Sequence, residues 1–569
     1  MRAAFSAAIV VLLCGGLPPA VEAAQPQPLQ TPTQVENARA GTTAWQRTQY
    51  TGVQLYADQI GALPGDAVGV HVQSDYRYRL RVYRLGWYGG DGARLMACVP
   101  SCAGDEAPVA QRNDAASAGS PQRAGWTTTD IVQTAADWPS GYYLIEAELT
   151  SGSVAGRIAT TYAILRQPVD QPPSQILVQV PVNTWEAYNA WAGHSLYNFS
   201  PAGASIRVSF DRPFDSQASS PLWWEIQTVR FLEREGYDVS YQTDVDTDAD
   251  PGSLLRHRLV IVNGHDEYWT VAMRDGFDAA VAGGTNLAFM GSNDAYWNVR
   301  YEDDRHTILT YKSLYDPNPD TTQKTAMFRE IGRPECLLLG VEHYGIIRQT
   351  VAGLDYAVTA AGAADPWVAG TGLTAGDTIA GVVGREHDTV SGYPGCQHPG
   401  EVTLFHYDGS RDGIPADATR YTAPSGARVF ATGAQEFSLA LDGYRADDTT
   451  APAIPVGTDR SAPVDPRVQQ FMRNGLDDLT RPQAPPQALR VKTANGWRVR
   501  TGWPVDQRIV GRIVYRVRSD GDQVLVCSGH APCYPPRATQ PGTYRYMAEY
   551  VDAWGRSSAP AYSTSWAHP

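Results

Sequence analysis

Four strings of residues have the types and spacing to do chemistry: Asn183-Thr-Trp-Glu-Ala-Tyr-Asn189, His265-Asp-Glu-Tyr-Trp269, Ser292-Asn-Asp-Ala-Tyr-Trp297 and Arg385-Glu-His-Asp388. Carboxylates and imidazoles can move protons or attack a carbonyl, and amides and cations can stabilise an oxyanion. A solvated loop does not need tryptophan and tyrosine beside its acids, so the four strings together read as a lined pocket. Other patterns fail. Gly193-His-Ser-Leu-Tyr197 lacks the second glycine of a nucleophile elbow. Asp244-Val-Asp-Thr-Asp-Ala-Asp250 has Ala249 and Leu255 where a calcium loop needs Gly and Glu, so it reads as an acidic surface loop. There is no HExxH, no P-loop and no strand-borne GxGxxG.

Each of the four strings follows an apolar run. Residues 176–182, 237–243, 258–264 and 287–291 read as strands, and residues 378–384 and 427–432 as two more. Helical periods run over 221–235, stopped by Gly236, and from Thr270 to Gly283-Gly284, with a further helix at 466–474. Strands alternating with helices predict a doubly wound α/β domain, flavodoxin- or glutamine-amidotransferase-like, over residues 174–480. Such sheets bind ligands beyond the carboxyl ends of their strands, where the four strings stand. Residues 46–168 alternate with period two between Gly/Pro turns, which predicts a β-sandwich. Residues 487–569 do the same and predict a fibronectin-III- or Ig-like β-sandwich. Proline-rich linkers at 167–173 and 482–486 separate these units, and 24–45 reads as a polar tail.

The chain has 569 residues, is 43% hydrophobic and carries a formal charge of −14, which permits packed cores and argues against nucleic-acid binding through a basic face. Residues 1–23 read as a signal peptide, so the expected location is exported, periplasmic or extracellular, with no membrane span. Processing would remove Cys14 and leave six of the seven cysteines. Their spacing suggests Cys98–Cys102, Cys527–Cys533 and Cys336–Cys396. Only three lysines occur, Lys312, Lys324 and Lys492.

Tyr83-Arg-Leu-Gly-Trp-Tyr-Gly-Gly90, Asn183-Thr-Trp-Glu-Ala-Tyr188, Gly264-His-Asp-Glu-Tyr-Trp269 and Gly384-Arg-Glu-His-Asp388 resemble the N,N-dimethylformamidase large (β) subunit family over residues 45–450. The resemblance implies an amidohydrolase of a small formamide-like substrate, using a mononuclear ferric iron held by two tyrosinates and one glutamate. Carried over, the ligands are Glu267, Tyr188 and, in the Ser140-Gly-Tyr-Tyr143 strand, Tyr143, with Tyr142 exchanged for it by a one-residue slip. The surrounding shell would be His265, Asn293, Lys312 and Glu386, with Glu386 as base or nucleophile and the others stabilising the oxyanion. Hard oxygen donors suit ferric iron better than zinc. A small accessory subunit accompanies the large one in the family, and the sequence leaves that and a homo-oligomer open. The rival reading is a non-catalytic extracellular glycan- or protein-binding chain with a vestigial pocket.

Overall fold

The computed structural model describes residues 30–569 apart from 114–119, 199, 215–219, 347–352, 447–461, 495 and 503–504. The expected signal segment and Cys14 lie outside the described residues. The chain is β-rich and built from several sheets. Where a featureless tail is expected, Pro32–Asn37 is a helix with a Thr31/Gln34 capping box. Glu36 of that helix accepts from Arg94 Nε at 2.6 Å and from Tyr88 Oη at 2.8 Å, and Trp45 is buried in the core. The segment is polar because it docks through hydrogen bonds, which composition cannot distinguish from solvation.

Residues 53–165 form two facing sheets. Val53–Ala57, Ala67–Ser74 and Asp130–Gln133 make one. The other runs in the order Gly61–Ala62, Ile158–Leu165, Gly141–Leu149, Tyr78–Leu85, Ala93–Val99. Leu55, Val70 and Val72 meet Leu80, Val82 and Ile145 in their shared core. Gly141–Leu149 is buried along nearly its whole length because both its faces are covered. Tyr143 points into the sandwich core, while Tyr142 points at the next sheet.

That next sheet has nine strands. Five are parallel, in the spatial order Val239–Thr243, Ile176–Val180, Leu259–Val262, Asn286–Phe289, Arg428–Ala431. Numbered along the chain this is 2-1-3-4-5, the flavodoxin order. Ile226–Arg234 and Pro466–Leu479 pack on one face through Val229, Phe231 and Phe471, and Val271–Ala282 packs on the other through Met273 and Phe277. Two expectations need correction. The sheet is not wholly parallel, since Ala416–Thr422, Val402–Tyr407, Leu354–Val358 and Thr378–Val383 extend it antiparallel. The expected surface loop is the helix Asp244–Ala249, capped by Thr243, with Asp244 fully buried.

The last 80-odd residues pair Ala488–Thr493 with Gly496–Thr501 and form a second sheet from Ile509–Arg518, Gln523–Gly529, Gly542–Asp552, Ala561–Tyr562 and Trp566–His568. Val499, Val514, Tyr546 and Ala548 share their small core. The three expected disulfides form. Among the described residues, no helix is long and apolar enough to cross a membrane.

Buried ion pairs lock the units together. Arg84, on the sandwich, grips Glu233 of helix Ile226–Arg234 at 2.7 and 3.0 Å, with side-chain exposures of 2% and 0%. Arg258 at the start of the third strand meets Asp506 and Asp552 of the C-terminal unit. Removing one partner strands a buried charge. Arg84→Met is expected to destabilise the chain by about 3–5 kcal/mol in urea denaturation, and adding Glu233→Gln should recover part of the loss. An unchanged midpoint would show that the pair does not join the units.

Candidate active site

In a 2-1-3-4-5 sheet the connections from strands 1 and 3 leave in opposite directions, and the crevice between them is the expected ligand position. Strand 1 ends at Val180 and turns directly into helix Val182–Tyr188, where a loop is expected from the sequence. Its last residue is Tyr188. Strand 3 ends at Val262 and its loop delivers His265, Asp266 and Glu267. Strand 4 ends at Phe289, and its loop delivers Ser292 and Asn293. Gly264 and Gly291 touch here: a side-chain carbon on Gly291 would collide with the Gly264 carbonyl, so the two loops can meet only at glycine.

Glu267 is the hub of the site. Tyr188 Oη donates to its Oε2 at 3.0 Å. Tyr197 Oη lies 2.9 Å from Oε1 and 2.7 Å from Oε2. His265 Nε2 is 3.3 Å from Oε2. Thr184 Oγ1 accepts from the Glu267 backbone N–H at 3.0 Å and fixes the loop. Behind Tyr197, Lys312 Nζ donates to Tyr268 Oη at 2.6 Å, and Tyr268 Oη donates to Tyr197 Oη at 2.6 Å. The Lys312 ammonium also lies 3.5 Å from the centre of the Tyr197 ring, a cation–π contact.

A second carboxylate faces the hub across His265. Glu386 Oε2 is 3.6 Å from His265 Nε2 and accepts from Asn293 Nδ2 at 2.7 Å. His265 Nδ1 donates to the Ser292 carbonyl at 3.0 Å, which fixes the ring with Nε2 toward the acids. Asp388 receives the Asn293 backbone N–H at 2.9 and 3.1 Å and has His343 Nδ1 3.4 Å away. Glu386 reaches the site from a strand, Glu386–Val390, paired with Val341–Ile346, not from a loop after the sheet strand as expected. Asn293 and Lys312 hold left-handed backbone, φ 56° and 50°, which costs about 1–3 kcal/mol each.

The charges sort accordingly. Burial disfavours ionised Glu267, yet His265 and Lys312 hold its carboxyl down to about 2. Burial opposes the charge on His265, but Glu386 and Glu267 push the imidazole up to about 10, so it is an imidazolium at neutral pH. Enclosure brings Lys312 down to about 8 against the pull of the same two carboxylates. Burial, and then the charge of Glu267, raise the Tyr188 and Tyr197 phenols well above their ordinary range. Behind the site, burial lifts the Asp266 carboxyl to about 7 and that of Glu225 to about 8.

Six of the seven expected residues, Tyr188, Glu267, His265, Asn293, Lys312 and Glu386, therefore meet in one cluster. Tyr143 does not. Its ring stacks on Trp138 at 5.2 Å inside the sandwich and its hydroxyl donates to the Pro139 carbonyl at 2.7 Å. The one-residue slip does not restore it, because Tyr142 Oη bonds Glu225 at 3.1 Å rather than Glu267. The phenol that pairs with Tyr188 is Tyr197, at the end of the Gly193-His-Ser-Leu-Tyr197 string that fails as a nucleophile elbow. Tyr268 and Asp388 also join the site and stood inside strings already singled out. His343 had no such signal, since it lies where the sequence pattern is irregular.

A family model described as N,N-dimethylformamidase beta subunit-like, C-terminal matches residues 79–450, more than half of the chain and all of the cluster. No curated protein matches the chain. On this match the chain belongs to the N,N-dimethylformamidase beta subunit-like family.

Proposed function

We propose that the chain is an iron-dependent amidohydrolase that cleaves the carbon–nitrogen bond of a small formamide-like amide, working in an oxidising compartment outside the cytosol. The observation that carries this is the convergence of two phenol hydroxyls, Tyr188 and Tyr197, on the one carboxylate of Glu267. Ionised, two phenolates and one carboxylate are three hard oxygen donors carrying three negative charges, which would match a trivalent cation, so the donor set fits ferric iron. Tyr188, Tyr197 and Glu267 would hold it. When bound, such an ion supplies Lewis acidity toward the substrate carbonyl. The family membership supports the reaction class, and the three disulfides support the compartment.

The chain's own groups divide the remaining work. Asn293 Nδ2 holds Glu386 Oε2, which leaves the other oxygen to receive a proton from the attacking water. Glu386 takes a proton from that water as it adds to the carbonyl carbon, and passes it to the nitrogen as the carbon–nitrogen bond breaks, giving a carboxylic acid and an amine. His265 stands between Glu267 and Glu386, where a protonated ring would offer positive charge to the developing oxyanion. Lys312 serves the tyrosines instead, because its ammonium is spent on Tyr268 and on the Tyr197 ring. A cation there favours the phenolate of Tyr197.

Two measurements test this. Phenolate bound to ferric iron absorbs visible light, so purified protein is expected to be coloured and to hold one iron per chain. Tyr188→Phe and Tyr197→Phe should each lower iron content and weaken or shift the band, while Tyr143→Phe leaves both unchanged. Colourless protein with full occupancy by another metal would overturn the ligand set. Glu386→Gln should keep iron and colour yet lower amide hydrolysis by about 10²–10⁴; loss of iron with activity would make Glu386 a ligand.

A further inference from the structure

The charge of this chain is segregated. Residues 487–569 carry ten arginines and one lysine against four aspartates and one glutamate, a net +6, so residues 1–486 carry −20. Part of that positive charge is used at the junction with the central sheet. Arg508 Nη1 donates to Thr285 Oγ1 at 2.8 Å and Arg556 Nη2 meets Asp477 at 2.6 Å. The junction takes one end of strand Gly542–Asp552, where Asp552 lies 3.3 Å from Arg258. Arg545 stands near the other end, roughly 24 Å away at the rise of an extended strand.

At that far end the cations meet rings, not acids. The Arg490 guanidinium sits 3.8 Å from the centre of the Trp497 ring and 4.2 Å from that of Trp566. Trp566 packs on the Tyr544 and Tyr546 rings, whereas Arg545, 3.9 Å from the Tyr562 ring, points to the opposite face of that strand. Lys492 stands opposite Trp497 in the hairpin register. Trp497 and Tyr562 are 40% and 42% exposed. The nearby Asp520 is taken by Arg518. Among the described residues, no carboxylate pairs with Arg490, Lys492 or Arg545.

A guanidinium stacked on a ring keeps its in-plane N–H groups free and held in one orientation, ready for a bidentate bond to a carboxylate. Exposed Trp and Tyr faces offer flat apolar area of the kind a sugar ring covers. One polymer carries both features on each repeat: a chain of sugars bearing carboxylates. A nucleic acid also offers anions and flat rings. However, its charge is far denser, one per about 1.7 Å of duplex, than the few cations at this end can match. The disulfides, one of them within this unit, support an oxidising compartment outside the cytosol.

We propose that the far end of the C-terminal unit binds an acidic polysaccharide through Arg490, Lys492 and the Trp497 ring, which share one face of the hairpin, holding the catalytic body beside that polymer. The site is remote from the iron-type cluster and does not depend on it. The test uses the full chain on immobilised polygalacturonate, with dextran, duplex DNA and anionic phosphatidylglycerol vesicles as comparison ligands. Retention on polygalacturonate at low salt, released by added salt and absent on dextran, is the expected result. The exposed Lys492→Glu should weaken binding about tenfold, Trp497→Ala should weaken it too, and Lys492→Gln should fall between. Melting temperature and visible absorbance should stay at the wild-type values in all three. Failure of the wild-type chain to bind, equal retention of the charge-reversal variant, or tighter binding to DNA or to vesicles would each overturn the proposal.

Discussion

A carboxylate moved out of water costs several kcal/mol unless it is paired and hydrogen-bonded, and Glu267 is only 3% exposed. Its partners come from three separate parts of the chain: Tyr188 from the helix after the first strand, Tyr197 from the turn beyond it, and His265 from its own loop. Satisfying this one charge therefore pins the crevice between strands 1 and 3. The imidazolium of His265 needs a second anion for the same reason, and Glu386 supplies it from another sheet. Neighbouring groups follow in turn, since Asn293 anchors Glu386 and Asp388 anchors Asn293. The site is a chain of compensated burials that starts at Glu267.

The same logic scales up to the joints between units. Arg84–Glu233 and Arg258–Asp506 bury charge where one unit meets the next, so neither joint can open without exposing apolar surface and unpairing ions together. Such joints are specific in orientation, because a bidentate guanidinium accepts only one geometry. They hold the sandwich face carrying Tyr142 against Trp185 and Glu225, directly behind the site. The sandwich is thus part of the wall of the crevice, although it gives no side chain to Glu267.

Much of this was legible in the sequence because the governing signals are local. The parallel strands announce themselves as short apolar runs, and Thr270 and Gly283 mark the ends of helix Val271–Ala282 by cap chemistry. His265, Glu267, Asn293 and Glu386 sit in dense polar-aromatic strings that a solvated loop does not need. What failed depended on distance in space. Nothing in Ser140-Gly-Tyr-Tyr143 says that Tyr143 faces the sandwich interior and Tyr142 faces Glu225, since both faces of that strand are buried. Residues 30–45 read as a tail because Thr33 and Glu36 are polar, yet both are buried in the structure. The antiparallel extension of the sheet was missed because its strands alternate like any surface strand, and only pairing reveals their place.

The two halves of the site differ in how they are built, and that difference has mechanistic weight. Tyr188, Tyr197 and Glu267 ride on connections of the parallel core, which is rigid because it is buried on both faces. Glu386 rides on a two-stranded ribbon, Val341–Ile346 with Glu386–Val390, and such a ribbon has little stability of its own. Three features compensate. The Cys336–Cys396 bridge joins the chain just before one strand to the chain just after the other, closing the base of the ribbon. His387 meets Ala434 in an isolated bridge beyond the fifth parallel strand, and the Glu386 carbonyl accepts from Ser292 Oγ at 2.6 Å. A donor set for a cation must be fixed before the cation arrives, whereas a base must follow a proton from water to leaving nitrogen. Under the proposed function, the cation's donors would stand on the rigid core and the base on a stapled ribbon, which would meet both demands.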